Sequence, residues 1–323
     1  VTPSSLSAIP GNLESAQGLN SVTDKVGVGV ITPHEIVIDL GTNSDSPDID
    51  ATRFEFAKRL ADNPEVFTVA SGQKWPYIDA SGRYLRIYVF GQHDLGSDQT
   101  QQLVQQLRDY YIPNAGFPTG TKIYLGGSPA QGVDLLDAIK SSLPTIISLI
   151  VFITFFILLR TFRSVVLAVK AILLDLISIA ASFATLVLVF KFGVGTYQLE
   201  QLEAWALILL FAILFGLSMD YEIFIVSRMR EAWDRGASNE DAIREGMRNS
   251  GAVVTAAALI FISALSGLIT GHFAGLQQLG IGLAAGVLID ATIIRGLLLP
   301  SAMVLLGKWN WWLPGQRKTP PLT

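Results

Sequence analysis

The chain has 323 residues, half of them apolar, no cysteine and a formal net charge of −4, with a mean hydropathy of +0.45. This is too greasy for an average soluble domain and points to membrane spans. The absence of cysteine excludes disulfides and thiolate metal sites, three scattered histidines (His34, His93, His272) argue against a His-based metal centre, and without a basic cluster no nucleic-acid partner is expected.

Polarity is unevenly spread. Residues 1–141 hold 10 of the 23 Lys+Arg and 16 of the 27 Asp+Glu, and read as a water-soluble domain. Within it "HEIVIDL" (34–40), "EVFTVAS" (65–71), "RYLRIYVFG" (83–91) and "TKIYLGG" (121–127) read as strands. "DIDATRFEFAKRLAD" (48–62) and "SDQTQQLVQQLRDYY" (97–111) read as amphipathic helices. Strand-helix-strand twice over predicts a split β-α-β, α+β ferredoxin-like domain. Trp75, Pro76 and Tyr77 suit a turn packed on the sheet better than the wall of a cleft. The helix beginning after Gly127 is expected to run with little break into the first span.

Residues 142–307 predict a transmembrane bundle of five helices, roughly Leu143–Leu159, Val165–Phe190, Ala204–Val226, Ala252–Ile269 and Leu276–Leu306. Arg160 and Arg163, the five arginines at 228, 230, 235, 244 and 248, and Lys308, Arg317 and Lys318 fall in alternate loops; the intervening loops hold only Lys191, beside Glu200 and Glu203. The basic loops and the tail 308–323 are therefore expected to be cytoplasmic, and the soluble domain extracytoplasmic. An outer domain needs a signal peptide or an earlier span. "VTPSSLSAIPGNLES" is neither and no Met begins the chain, so the expectation is a piece of a longer protein, cut just after a span. Ser238 followed by Asp241 resembles a capping box, and Ile243 with Met247 gives an apolar pair; together they predict a short amphipathic cytoplasmic helix around 238–249.

Ionisable residues inside the spans carry the functional signal: Asp220, Lys170, Asp175, Asp290 and Arg295. Each isolated charge in hydrocarbon costs at least ~2.5–3.5 kcal/mol, so they should face one another or water. Gly216 lies four residues before Asp220, and Gly282 and Gly286 precede Asp290 on one stripe. Glycines on the carboxylate's face allow close helix packing, which predicts inward-pointing carboxylates. Lys170 and Asp220 sit at similar depths, leaving an ion pair between them open, whereas Asp220 and Tyr221 are ~100° apart around their helix and must find partners on different neighbours. Arg295, nearer the cytoplasmic end, suits snorkelling. A buried carboxylate that gains and loses a proton as water or a cation moves is the chemistry of a proton-driven machine; Tyr221, Lys170, Asp175 and Asp290 are candidate relay members beside Asp220.

"GLSMDYEIFIVSRMREAW", "AIREGMRNSGAVVTAAALIFISAL" and "LGIGLAAGVLIDATIIRGLLLPSAMVLLGKWNWWLP" closely resemble the C-terminal half of the MMPL family, transporters of the resistance–nodulation–division (RND) superfamily. The resemblance implies half of a twelve-span fold, residue 1 following the seventh span, and residues 1–141 as the second extracytoplasmic (periplasmic) porter-type domain. It also implies export of lipids or other hydrophobic compounds by proton antiport across or out of a bacterial plasma (inner) membrane, driven by the proton gradient with no cofactor, metal or catalytic residue. Asp220 and Tyr221 would relay protons with a matching Asp-Tyr pair from the N-terminal half. Partners would then be that half, membrane lipids and the hydrophobic substrate, with a homo-oligomer left open. After "FRS" (162–164) the family pattern leads one to expect a proline near 168 and an amide near 175; Ala168 and Asp175 stand there instead.

Four other readings compete: a drug efflux pump of the same superfamily, a metal-efflux pump, a sterol-sensing, receptor-like protein and an intramembrane aspartyl protease. The four methionines are not clustered as metal ligands. Embedded charges are hard to justify in a receptor, and the protease signatures (tyrosine before aspartate, Gly-x-Gly-Asp) are missing.

Overall fold

The computed structural model describes residues 14–41, 47–193, 202–271 and 273–314. His272, Glu200 and the tail arginine and lysine at 317 and 318 lie outside the described residues, as does most of the N-terminal stretch weighed as a signal peptide. The chain divides into two compact units, Val1–Lys140 and Ser141–Thr323.

The described part of the first unit begins with a helix that the sequence pattern did not predict, α1 (Glu14–Val26). Then come β1 (His34–Asp39), α2 (Pro47–Ala61), β2 (Val66–Ala70), β3 (Tyr84–Gly91), α3 (Asp98–Gln106) and β4 (Lys122–Gly126). The strands form one antiparallel sheet in the order β2-β3-β1-β4, with Ile36 opposite Ile87 and Leu125. Alternation sorts the side chains. Ile36, Ile38, Leu85, Ile87 and Val89 are buried with Phe56 and Leu60 of α2 and Leu103 and Leu107 at the end of α3, while Glu35, Arg86 and Tyr88 point to the other, half-open face. Tyr77 packs edge-on against Tyr88 at 6.2 Å, as expected of a turn laid on the sheet, but Trp75 beside it is 83% exposed.

α4 (Ser128–Phe162) is one helix through Pro144, as the sequence predicted. It is followed by α5 (Val165–Phe192), α6 (Ala204–Asp234), α7 (Asn239–Ile269), α8 (Ala274–Ile289), a π-helical stretch (Asp290–Leu298) and α9 (Leu299–Leu306). Five helical segments are long and apolar enough to cross a membrane, the fifth running Ala274–Trp311 through the π stretch. The separate amphipathic helix expected around 238–249 is corrected: Ser238 caps a helix, accepting from the Asp241 amide at 3.1 Å, but that helix continues without interruption to Ile269. "NSG" (249–251) holds no proline, and a single glycine costs a helix only ~1 kcal/mol.

Glycine fixes the packing at two places. A Cβ at Gly286 would meet Leu214 of α6 at 2.6 Å and the Ser182 hydroxyl of α5 at 3.2 Å, and one at Gly282 would collide with Leu210 and Leu186. The Ser182 hydroxyl donates to the Gly282 carbonyl at 2.6 Å. α8 therefore lies close against α5 and α6, one turn before Asp290.

Candidate functional site

Three helical stripes converge near Gly286. α5 supplies Lys170 and Asp175; α6 supplies Ser218, Tyr221 and Glu222; the π-helical stretch supplies Asp290 and Arg295. Lys170, Asp175, Ser218, Glu222, Asp290 and Arg295 are all buried, none more than 7% exposed.

Arg295 holds the centre. Its Nε donates to Asp290 Oδ2 at 2.7 Å, and its Nη2 donates to Ser218 Oγ at 2.9 Å and to the Ser218 carbonyl. Asp175 Oδ1 lies 3.9 Å from the same Nη2. The Ser218 hydroxyl is 2.6 Å from Asp175 Oδ1 and 2.9 Å from Asp290 Oδ1. The guanidinium also lies over the Tyr221 ring, 5.5 Å from its centroid. Lys170 and Glu222 carry opposite charges that act on each other across α5 and α6, but neither Lys170 Nζ nor Glu222 Oε1 has a hydrogen-bond partner among the described residues.

The π-helix is what makes this possible. At 3.6 residues per turn, positions 290 and 295 would diverge by about 140°. The wider i→i+5 turn brings them to one side, where they hydrogen-bond, and such turns recur at functional sites. Among the described residues no group of His, Cys, Asp or Glu is arranged to hold a metal ion. What the cluster does hold is a set of carboxylates, a hydroxyl and a guanidinium within hydrogen-bond reach, out of water. That arrangement suits proton binding and transfer.

Residues 76–322 match the model of the MMPL family. The chain belongs to the MMPL family. It is 31% identical over 309 residues to the heme uptake protein MmpL11 of Mycobacterium tuberculosis, covering 93% of this chain and 31% of that protein. It is 30% identical over 307 residues to the mycolic acid-containing lipids exporter MmpL11 of Mycolicibacterium smegmatis, covering 92% and 31%. It is 36% identical over 201 residues to the trehalose monomycolate exporter MmpL3 of Mycobacterium tuberculosis, covering 61% and 21%. The chain thus spans less than a third of the length of these MMPL relatives.

In this MMPL chain the residues singled out from sequence are only partly brought together. Asp175, Asp290 and Lys170 are buried in the cluster, with Tyr221 half-buried against it, and Gly282 and Gly286 serve close packing as expected. Gly216 and Asp220 do share a face of α6, but both are exposed, and nothing lies within 4 Å of a Cβ at Gly216. The inward orientation expected of Asp220 is therefore corrected: within this chain it points away from the bundle, and the carboxylate whose charge acts on Lys170 is that of Glu222. The geometry follows from helical period, because Ser218 and Glu222 are four apart on the buried stripe and Asp220 is ~200° from both. Arg295 does not snorkel; it is 2% exposed at the centre of the cluster. Sequence reasoning missed Glu222 and Ser218. The signal available was Glu222 following Tyr221 directly, four residues after a serine within an apolar run.

Proposed function

We propose that this chain is the C-terminal half of a proton-motive-force-driven MMPL exporter that moves lipids or other hydrophobic compounds out of a bacterial plasma membrane. The observation that carries the reading is the buried Asp290–Arg295 pair bridged by Ser218 to Asp175, inside a bundle of this family. Charges are retained in hydrocarbon at a cost, and a transporter that trades protons for cargo has a use for them. The relatives named as exporters of mycolic acid-containing lipids and of trehalose monomycolate support an amphiphilic cargo.

Asp220 belongs to the same proposal. It shares an uncovered face with Gly216, which suits close contact with another helix, and the matching Asp-Tyr pair of the N-terminal half would cover it. Residues 1–141 serve in this reading as a ferredoxin-like, extracytoplasmic porter-type domain; the sheet order β2-β3-β1-β4 and the twofold β-α-β succession support it. The C-terminus is then cytoplasmic, as the basic loops indicate.

The test uses the full-length protein. Asp220→Asn abolishes proton-coupled export while insertion and expression stay normal. Full export by that variant at normal expression refutes the reading.

A further inference from the structure

We infer that the bundle stores one proton between Asp175 and Asp290, and that the Ser218 hydroxyl is the bridge across which it moves. The inference rests on the proton-driven reading above and adds to it where the proton sits.

A serine hydroxyl has one proton to donate and two lone pairs that accept. Ser218 Oγ already accepts from Arg295 Nη2 at 2.9 Å, and it stands 2.6 Å from one carboxylate oxygen and 2.9 Å from another. With both carboxylates ionised, the single hydroxyl proton satisfies one of them, and the other contact becomes lone pair against lone pair at hydrogen-bond distance. One added proton removes the conflict: a protonated carboxyl donates to Ser218 Oγ, which in turn donates to the ionised one. All three contacts are then made in the correct sense.

Charge counting on every element packed against the site agrees. α5 contributes Lys170 and Asp175, α6 contributes Tyr221 and Glu222, with Asp220 on its far side, and the π-helical stretch contributes Asp290 and Arg295. Residues 141–159 of α4, 249–269 of α7, and all of α8 and α9 carry no ionisable side chain. Lys170 and Glu222 carry opposite charges that act on each other. Around Ser218 itself two aspartates face one guanidinium, and a buried excess charge is removed most cheaply by one proton.

Geometry assigns the resting place. Asp290 receives the Arg295 Nε at 2.7 Å and is the ionised partner. Asp175, 3.9 Å from the guanidinium, carries the proton. In the transfer step the O–H bond on Asp175 Oδ1 breaks as a new one forms on Ser218 Oγ, while the original Ser218 O–H breaks and its proton bonds to Asp290 Oδ1. Asp175 becomes the anion, Asp290 neutral, and no other species is consumed. Arg295 then has reason to leave Asp290 for Asp175. These two groups stand on different helices, so the proton's position sets which helices the guanidinium ties together.

The experiment takes full-length protein in phospholipid vesicles, with the proton itself as probe. Infrared difference spectra at neutral pH are expected to show one protonated carboxyl. That band disappears in Asp175→Asn and in Asp290→Asn, because each leaves one carboxylate for one guanidinium, and persists in Glu222→Gln. No such band in the parent protein, or a band lost only in Glu222→Gln, overturns the inference. In the same vesicles, Ser218→Ala and Asp175→Asn are expected to lower the proton flux that follows a pH jump by at least about 100-fold, the lower end of the range for loss of a positioned proton-transfer group. Unchanged flux in both, with Asp220→Asn abolishing it, sinks the Ser218 bridge and leaves the proton-driven reading standing. Unchanged flux in Asp220→Asn as well sinks both.

Discussion

Replacing Arg295 by methionine separates a central role from a peripheral one. Arg295 donates Nε to Asp290 at 2.7 Å and Nη2 to both the hydroxyl and the carbonyl of Ser218, and it is 2% exposed. A hydrogen bond to a charged group contributes ~1.5–3 kcal/mol, and removing one partner of a buried pair costs ~3–5 kcal/mol because the other is left uncompensated. A snorkelling arginine, screened by headgroups and water, would be worth only ~0–1 kcal/mol. Arg295→Met is therefore expected to lower the stability of the full-length protein by about 3–5 kcal/mol, whereas Arg295→Met with Asp290→Leu, which removes both charges, recovers most of that loss. The measurement is reversible denaturant unfolding in lipid–detergent micelles, comparing midpoints at equal slope. A loss below about 1 kcal/mol in the single variant, or a double variant as unstable as the single one, would show that the pair is solvated and would refute the reasoning.

Two further outcomes concern packing and pH. A Cβ at Gly246 would meet the Met229 backbone nitrogen at 3.0 Å and its Cα at 3.2 Å; backbone atoms cannot swing aside, so Gly246→Leu is expected to cost about 1–3 kcal/mol in the same assay. Gly251→Ala, with nothing within 4 Å, serves as the comparison, and equal losses at both positions would contradict the close α6–α7 approach. In the first unit His34 is 1% exposed, and burial lowers its pKa from 6.5 to about 4. The unfolded chain thus binds a proton before the folded one does. The stability contributed by neutral His34 is complete above pH 6.5 and is lost as pH falls toward about 4. Urea midpoints of the wild-type domain should fall more steeply through that window than those of His34→Gln; parallel curves would contradict the burial argument.

The first unit was legible because the contrast between a buried and an open sheet face writes itself into its strands. "RYLRIYVFG" alternates so regularly that β3 (Tyr84–Gly91) falls within one residue of the segment read from it. The bundle lacks that contrast. α6 is apolar all round between Ala204 and Met219, so nothing in its pattern chose between a face carrying Ser218 and Glu222 and one carrying Gly216 and Asp220. Glycine spacing was the guide used, and it served for Gly282 and Gly286, whose neighbours are present in the chain, but not for Gly216, where none of the described residues lies close. Arg295 was misplaced for a different reason: depth was counted along an ideal α-helix, and the π turn that carries it to Asp290 leaves no composition signal.

The two faces of α6 bear on coupling. Ser218 meets α5 and the π-helical stretch, Glu222 is buried on the same stripe, and Asp220 stands about half a turn away on the uncovered side. One rigid helix thus presents a hydroxyl to an inner pair of carboxylates and a carboxylate to an outer neighbour. A rotation of α6 that alters what covers Asp220 must also change the separations of Ser218 from Asp175 and Asp290, now 2.6 and 2.9 Å. Hydrogen bonds weaken steeply over a few tenths of an ångström beyond such distances. The two proposed proton places are on this account linked by the turn of a helix, with no need for a wire of side chains between them.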